Sequence, residues 1–141
     1  MVIGSLRDQL LYPATDADIS DEDLQRVLST VQLPKLVDRC GGLDIKSDWG
    51  KVLSLGEQQR LAIATAILSQ RPYLILDEAT SALDEANEAE IYRFLVDSET
   101  TLISVSHRPL VARFHTHVLI LDGDEGWSIV APDAYLELHK A

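Results

Sequence analysis

Short apolar runs alternate with helix-forming segments over most of this chain, and that alternation is what most restricts its possible folds. Residues 73–76 and 101–106 have the composition of strands, the first of a strand buried on both faces. Helices are expected around these strands, over residues 54–70, over residues 85–96 and from residue 109. Strands that alternate with helices are typical of an α/β sandwich with a largely parallel sheet.

The regions on either side of this alternation are expected to be helical at the start and to contain a hairpin at the end. Ser5 with Asp8, and Ser20 with Asp23, are pairs that typically cap helix starts. The remaining predicted elements are strands over residues 118–121 and 127–130 and a final helix over residues 132–140.

Composition and charge exclude several classes of protein. With 46% hydrophobic and 25% charged residues among 141, the chain has the balance of an ordinary globular protein. Its formal net charge of −11 would repel a phosphate lattice, so we predict no nucleic-acid partner. The single cysteine, Cys40, is expected to be an unpaired structural side chain, as in a reducing compartment. The sequence predicts neither a bilayer-spanning segment nor a signal peptide.

A first candidate site is the predicted helix start at Leu53, Ser54, Leu55, Gly56 and Glu57. The first turn of a helix has unpaired N–H groups and a partial positive charge, so it attracts anions. Ser54 would add a hydroxyl group, and Gly56 would let a phosphate approach the backbone closely. Ser54 and Glu57 also match a capping box, so an ordinary capped helix is the favoured interpretation of this segment when it is considered alone.

Two further candidate features follow the predicted strand at residues 73–76. Asp77 and Glu78 come at its carboxyl end, where ligands bind in parallel sheets. A carboxylate such as Asp77 can hold Mg²⁺, and one such as Glu78 can position or deprotonate a water that attacks a phosphate. Ser81 and Asp84 follow in a polar turn, which an ordinary helix cap would also require.

His107 comes at the end of the next predicted strand. Because neighbouring parallel strands end at the same edge of a sheet, we expect His107 to lie next to Glu78 and to reach the same phosphate. We predict that Ser54, Asp77, Glu78 and His107 line one edge of the fold. Ser54 should be set apart from the other three, because it begins a helix in the other part of the chain. A histidine at a strand end is otherwise a structural or surface residue.

Together, these segments resemble the ATP-binding domains of ABC transporters. Residues 53–57 resemble the signature motif, residues 74–78 the Walker B motif and residues 81–84 the D-loop, while His107 resembles the H-loop histidine. Residues 4–10 are similar to the segment that follows the Q-loop in that family. The combination of the sequences LSLGEQQR (residues 53–60) and DEATSALD (residues 77–84) is most similar to subfamily D, the fatty-acyl-type exporters, and its bacterial relatives.

The sequence departs from the commonest family pattern in several places. Leu55 and Glu57 stand where the usual signature has glycine and glutamine, and Ala64-Thr65 stands where an arginine is often found. No G-x-x-x-x-G-K-[ST] pattern occurs, and Gly50-Lys51 is followed by valine. The resemblance therefore implies the second half of a P-loop NTPase-like ABC ATPase core, with a largely parallel sheet and an α-helical signature subdomain, and without the Walker A part.

The resemblance also implies roles for these residues. Residues 1–71 would form the helical signature region, and residues 72–141 the C-terminal half of the ATPase core. In this family, two domains sandwich ATP with Mg²⁺ in a head-to-tail dimer. Asp77 would then bind Mg²⁺, Glu78 and His107 would be catalytic, residues 53–57 would contact the nucleotide of the opposite site, and Ser81 and Asp84 would couple the two sites.

The implied partners are the missing Walker A half, a membrane domain on the same or another chain, and a second ABC domain. The implied location is the cytosolic face of an inner or organelle membrane. The isolated chain is not expected to hydrolyse ATP by itself. Two other functions stay open: a truncated cassette that acts as a non-catalytic interaction or regulatory protein, and an SMC-type DNA-associated ATPase lobe. The second would need a heptad coiled coil and a basic face, and the sequence shows neither.

Overall fold

The computed structural model describes residues 3–14, 18–98, 100–123 and 126–139, which form helices around three two-stranded sheets. The elements in chain order are β1 (Gly4–Ser5), α1 (Leu6–Leu11), α2 (Asp21–Thr30), α3 (Leu36–Arg39), β2 (Lys46–Ser47), α4 (Trp49–Val52), α5 (Leu55–Leu68), β3 (Tyr73–Asp77), α6 (Glu85–Asp97), β4 (Thr101–Val105), the 3₁₀ helix η1 (Pro109–Phe114), β5 (Val118–Leu121), β6 (Trp127–Val130) and α7 (Pro132–Leu138).

The longer helices begin where the capping residues predict. The Ser20 hydroxyl accepts a hydrogen bond from the Asp23 N–H at the start of α2, and the Asp84 carboxylate accepts one from the Asn87 N–H at the start of α6. Helices α1 and α5 each begin with a complete capping box. These side chains satisfy N–H groups that the first turn of a helix leaves unpaired, which explains why each helix starts at that residue.

Strands β3 and β4 form the parallel pair that positions the predicted Walker B segment. Tyr73 pairs with Thr101 and Asp77 pairs with Val105, in unbroken register. The prediction that this strand is buried on both faces is wrong, because Ile75 is 68% exposed whereas Leu76 is 4% exposed. One face of the pair packs on the core, and the other face is apolar but uncovered.

The sheet is parallel only at β3 and β4 within the described ranges, since the other two strand pairs are antiparallel. Strands β5 and β6 form the predicted hairpin, in which the Asp122 N–H donates to the Gly126 carbonyl at 2.9 Å. A connection this short joins antiparallel neighbours and cannot make a parallel crossover. The α/β class is confirmed, and its parallel part is confined to one pair.

Pairing of β1 with β2 and the short helix α4 were not expected from the sequence. Gly4 pairs with Ser47, and the Trp49 indole N–H donates to the Gly4 carbonyl at 2.9 Å. A Cβ atom at Gly4 would lie 2.5 Å from Asp8 Oδ2. Glycine at this position therefore leaves room for the Asp8 carboxylate to accept the hydrogen bond from the Ser5 N–H that completes the α1 capping box. Strands of two residues have no alternating pattern by which a sequence could reveal them.

Several predicted boundaries shift by a few residues. Helix α5 ends at Leu68 rather than at residue 70, because Gln70, two residues before Pro72, adopts a left-handed φ of 47°. The segment from Pro109 is a 3₁₀ helix. Helix α7 ends at Leu138, and Lys140, where that helix was expected to end, lies outside the described residues.

A single apolar core connects the helical part with the strands. Helix α5 packs against α1 and α2, and α6 packs against α2, β4 and η1. Buried side chains from α1 to η1 contribute, including Leu6, Leu24, Leu61, Leu76 and Ile91, whereas β5, β6 and α7 contribute no fully buried side chain. Among the described residues, no helix has both the length and the apolar character needed to cross a bilayer.

Candidate functional site

Asp77 and Glu78 lie where β3 leaves the sheet. The Asp77 side chain is exposed, and its carboxylate makes no hydrogen bond or ion pair within the described part of the chain. Glu78 adopts a left-handed φ of 48°, and its N–H donates to the Val105 carbonyl at 3.0 Å. A non-glycine residue with this φ is strained, and the hydrogen bond to β4 holds it in place. The chain therefore turns sharply here and keeps the Glu78 carboxylate at the strand edge.

His107 lies beside Glu78, as the neighbouring strand ends predict. The His107 N–H donates to Glu78 Oε1 at 3.1 Å, and His107 Nε2 lies 3.8 Å from the same oxygen. The imidazole is 95% exposed, whereas the Glu78 side chain is 38% exposed. The backbone of His107 thus positions the carboxylate, and its ring stays free to contact a ligand.

The turn that contains Ser81 is held by a network around a buried carboxylate, which we call the Glu88 network (Thr80, Glu88 and Arg108). Its two charged members, Glu88 and Arg108, lie outside the predicted motifs. Glu88 is 3% exposed, and it accepts hydrogen bonds from Thr80 Oγ1 at 2.5 Å and Arg108 Nη1 at 3.3 Å. Arg108 also donates to the carbonyls of Leu83 at 2.8 Å and Ser81 at 3.0 Å. Arg108 directly follows His107, so this network joins the turn to the histidine segment.

Asp84 caps α6 at the rim of a cavity that also includes His107. Its carboxylate accepts hydrogen bonds from the Asn87 N–H at 2.9 Å and from Asn87 Nδ2 at 2.6 Å. The hydrogen bond from the Asn87 N–H lowers the pKa of Asp84, so the carboxylate stays ionised near neutral pH. The cavity has a volume of about 430 Å³, and Glu88, Arg108 and Pro109 also line it.

At the start of α5, Ser54 and Glu57 form the predicted capping box. The Ser54 hydroxyl accepts a hydrogen bond from the Glu57 N–H at 3.3 Å, and Glu57 Oε2 accepts from the Ser54 N–H at 2.9 Å. Glu57 Oε1 accepts from Arg39 Nη1 at 2.6 Å. The Arg39 hydrogen bond, followed by those from Ser54, lowers the pKa of Glu57 to about 2.

The start of α5 borders the Ser81 turn. Gln59 Nε2 donates to Ser81 Oγ at 3.3 Å, and a Cβ at Gly56 would lie 3.5 Å from the Ala82 Cβ. That distance is an ordinary contact, so packing within this chain does not require glycine at position 56. In the ranges that the structure describes, Ser54 makes no hydrogen bond with Asp77, Glu78 or His107.

The other residues of this helix start differ in exposure. Leu53 is 4% exposed and belongs to the core, whereas Leu55 is 70% exposed. Leu55 therefore points outward beside Ser54, where a partner molecule can contact it. The Gln58 side chain donates to the Leu53 carbonyl at 3.0 Å and supports the bend that leads into α5.

The carboxylates at the β3 edge suit magnesium bound together with a phosphate ligand. The described residues contain no group of three or more metal-ligating side chains. Mg²⁺ in phosphate-binding sites needs only one or two protein carboxylates, because waters and phosphate oxygens complete its octahedral shell. The unpartnered carboxylate of Asp77 fits that requirement.

Sequence reasoning did not identify Arg39, Glu88 or Arg108, and it placed Thr80 in the DEATSALD segment without giving it a role. Each acts through partners that are 8 to 27 residues away along the chain, which local patterns do not show. The one local signal was the position of Arg108, directly after the candidate His107.

Comparison with known proteins agrees with the motifs. A family model described as ABC transporter matches residues 5–81, more than half of the 141-residue chain. The chain belongs to the ABC transporter family. An uncharacterised ABC transporter ATP-binding protein of Synechocystis is 50% identical over 129 residues, covering 92% of this chain and 20% of that protein.

Subfamily D relatives confirm the finer resemblance. The mouse lysosomal cobalamin transporter ABCD4 is 44% identical over 133 residues, covering 89% of this chain and 22% of its own length. The chloroplastic ABC transporter D family member 2 of Arabidopsis thaliana is 39% identical over 171 residues, covering 99% of this chain and 24% of its own length. The chain thus spans about a fifth to a quarter of these ABC transporters.

A solved structure confirms the fold of this ABC transporter chain. It is the structure of a bacterial Atm1-family ABC exporter with ATP bound. It matches with a TM-score of 0.80 at 25% identity, covering 99% of this chain and 25% of the exporter chain.

Proposed function

We propose that this chain is the C-terminal part of an ABC transporter ATP-binding domain that couples ATP binding and hydrolysis to transmembrane transport. The contact between Glu78 and His107 at the carboxyl ends of β3 and β4 carries the proposal. A carboxylate and an exposed imidazole that lie 3.8 Å apart at one strand edge are suited to directing a water and contacting a phosphate.

Each residue at this edge has a defined role in the proposal. Glu78 positions or deprotonates the attacking water, and its left-handed backbone and its hydrogen bond from His107 hold the carboxylate for that task. The His107 ring contacts the γ-phosphate. Asp77 holds Mg²⁺, which when bound would offset negative charge on the phosphates.

Residues Leu53–Glu57 serve a different nucleotide in this proposal. They contact the phosphates bound by a second ABC domain, arranged head to tail, while Ser81 and Asp84 couple the two sites. Two observations support this arrangement: in the described residues Ser54 makes no hydrogen bond with Asp77, Glu78 or His107, and Gln59 donates a hydrogen bond to Ser81. Residues 1–71 then act as the helical signature region, and residues 72–141 as the C-terminal half of the ATPase core.

The site requires partners for activity. The sequence contains no G-x-x-x-x-G-K-[ST] pattern, so the backbone N–H groups and lysine that cradle the β- and γ-phosphates must come from a Walker A half. The uncovered apolar face of β3 and β4 supports a segment packing there. A membrane domain, on the same or another chain, would select the substrate and hold this chain at the cytosolic face.

Calorimetry with Mg-ATP tests the requirement for the Walker A half. We expect the isolated chain to bind Mg-ATP no better than roughly millimolar, because two carboxylates face a polyanion without the Walker A groups. The chain assembled with a Walker A half, hereafter the assembled cassette, should bind far more tightly and hydrolyse ATP. Micromolar binding by the isolated chain would contradict this requirement. Absence of hydrolysis by the assembled cassette would favour the non-catalytic alternative.

Glu78→Gln in the assembled cassette tests the catalytic role. Nucleotide binding should be retained and turnover should fall at least about a hundredfold, because only the water-directing carboxylate is lost. Glu137→Gln, at an exposed carboxylate of α7, is the matched control. Equal turnover in both variants would assign the base to another residue.

A further inference from the structure

The carboxylate of Glu57 lies at the helix start that the proposed function assigns to a phosphate. Its side chain is 14% exposed, and both of its oxygens are engaged. Oε2 accepts hydrogen bonds from the N–H and the hydroxyl of Ser54, at 2.9 and 3.0 Å. Oε1 accepts one from Arg39 Nη1 at 2.6 Å.

A carboxylate in this position opposes phosphate binding. A helix start attracts anions through its free N–H groups and partial positive charge. The Glu57 carboxylate already occupies the Ser54 N–H and lies in the same positive potential. Its negative charge also repels a second anion at short range. A phosphate site at Ser54 and Gly56 therefore needs a nearby positive charge that compensates Glu57.

Arg39 supplies that charge from a distant part of the chain. It is the last residue of α3 and lies 18 positions before Glu57. Gly41 and Gly42, with left-handed φ values of 80° and 128°, turn the chain away directly after it. The Arg39 side chain is 52% exposed, whereas the Glu57 carboxylate that it binds belongs to a side chain that is only 14% exposed.

We propose that Arg39 is a positioning residue of the signature site: it neutralises Glu57 and holds that carboxylate on the Ser54 cap, so that the start of α5 can accept the phosphates of a nucleoside triphosphate. The inference rests on the proposed function, in which this helix start meets the nucleotide of a second cassette. Loss of Arg39 would expose an uncompensated negative charge at the phosphate position. Loss of both charges would leave a neutral site.

The test measures ATP-driven association of assembled cassettes that carry Glu78→Gln, so that turnover does not interfere. The readout is the Mg-ATP concentration that gives half-maximal association by light scattering. Arg39→Met should raise that concentration roughly three- to tenfold, the size expected for one uncompensated charge near a phosphate. Adding Glu57→Gln to Arg39→Met should return it to within about twofold of the parent.

Two controls separate charge from structure. Arg39→Lys keeps the positive charge and should stay close to the parent. Arg26→Met removes a guanidinium of the same kind, which pairs with Asp23 at 2.8 Å within α2, and it should leave association unchanged. An unchanged Arg39→Met variant, or one that Glu57→Gln does not restore, would overturn the proposal.

One further variant distinguishes failure of this proposal from failure of the proposed function. Gly56→Asp places a negative charge at the helix start, and the fold accepts a Cβ there at an ordinary 3.5 Å contact. If Gly56→Asp blocks ATP-driven association while Arg39→Met has no effect, only the role of Arg39 is wrong. If neither variant changes association, the signature role of this helix start is wrong as well.

Discussion

Glu88 is a charged residue with almost no exposed surface, and the Glu88 network stabilises it. A buried carboxylate is costly to desolvate, and the donors Thr80 and Arg108 offset that cost. Arg108 at the same time donates to the carbonyls of Ser81 and Leu83. Glu88 and Arg108, which lie outside the recognised motifs, therefore determine where the Ser81 turn lies relative to the segment that contains His107.

Glu88→Ala should lower the free energy of unfolding of the isolated chain by about 2–3 kcal/mol, because it leaves the partly exposed Arg108 without its carboxylate. Urea denaturation measures the change. The double variant with Arg108→Ala should be less destabilised than the sum of the two single variants. Strictly additive losses would mean that the two side chains do not stabilise each other.

Glu57 should make stability depend on pH in acid. Its pKa is about 2 in the folded chain and near 4.5 when unfolded, so its contribution is complete above about pH 4.5 and is lost as pH falls toward 2. The stability difference between the wild type and Glu57→Gln should therefore shrink over that range. Denaturation curves at a series of pH values measure it, and a constant difference would contradict the ion pair with Arg39.

At the scale of elements, β3 shows how neighbouring residues of one strand have different environments. Leu76 is 4% exposed in the core, whereas Ile75 is 68% exposed on the uncovered face. Successive side chains of a strand point to opposite faces, so the helices cover only one face of the β3–β4 pair. The continuous apolar sequence of β3 is the pattern of a strand covered on both sides.

Leu76→Ala should destabilise the isolated chain by about 2–4 kcal/mol, since it opens a cavity in the core. Ile75→Ala is the matched control and should cost less than about 0.5 kcal/mol. In the assembled cassette, Ile75→Ala should become clearly destabilising, because the Walker A half would cover it. Thermal or urea unfolding of both forms gives the comparison, and equal effects of Ile75→Ala in the two forms would contradict coverage of that face.

At the scale of the whole molecule, large apolar side chains are exposed on two separate strand pairs. On β3 and β4 they are Tyr73, Ile75, Ile103 and Val105, and on β5 and β6 they are Leu119, Leu121, Trp127 and Ile129. Contiguous apolar patches of this kind mark interaction surfaces.

We expect the isolated chain to self-associate through these faces or to bind a Walker A half. Ile75→Lys together with Ile103→Lys should shift the sedimentation profile toward monomer at equal concentration, because charge on the face opposes its burial. Leu138→Lys, at an exposed leucine of α7, should leave the profile unchanged. The expectation would be contradicted by a wild-type chain that remains monomeric at high concentration and does not bind a Walker A half.

Local patterns were sufficient for most elements and for part of the site. Ser20 and Asp84 cap helices through groups three residues away, so the sequence shows both partners together. The neighbouring positions of Glu78 and His107 followed from a general property of parallel strands, namely that their carboxyl ends share an edge.

The sequence by itself determined the family, the starts of the longer helices, the approximate ranges of β3 to β6 and the order of the motifs, because these depend on residues close together in the chain. Only the tertiary structure decided which face of β3 is covered, that Gly4 pairs with Ser47, and that Glu57 is paired with Arg39. These features depend on contacts between distant segments or on the absence of a covering layer. The physical reason is that burial and charge pairing depend on how the whole chain packs. A local pattern indicates only which kinds of neighbour a residue can pack or pair with.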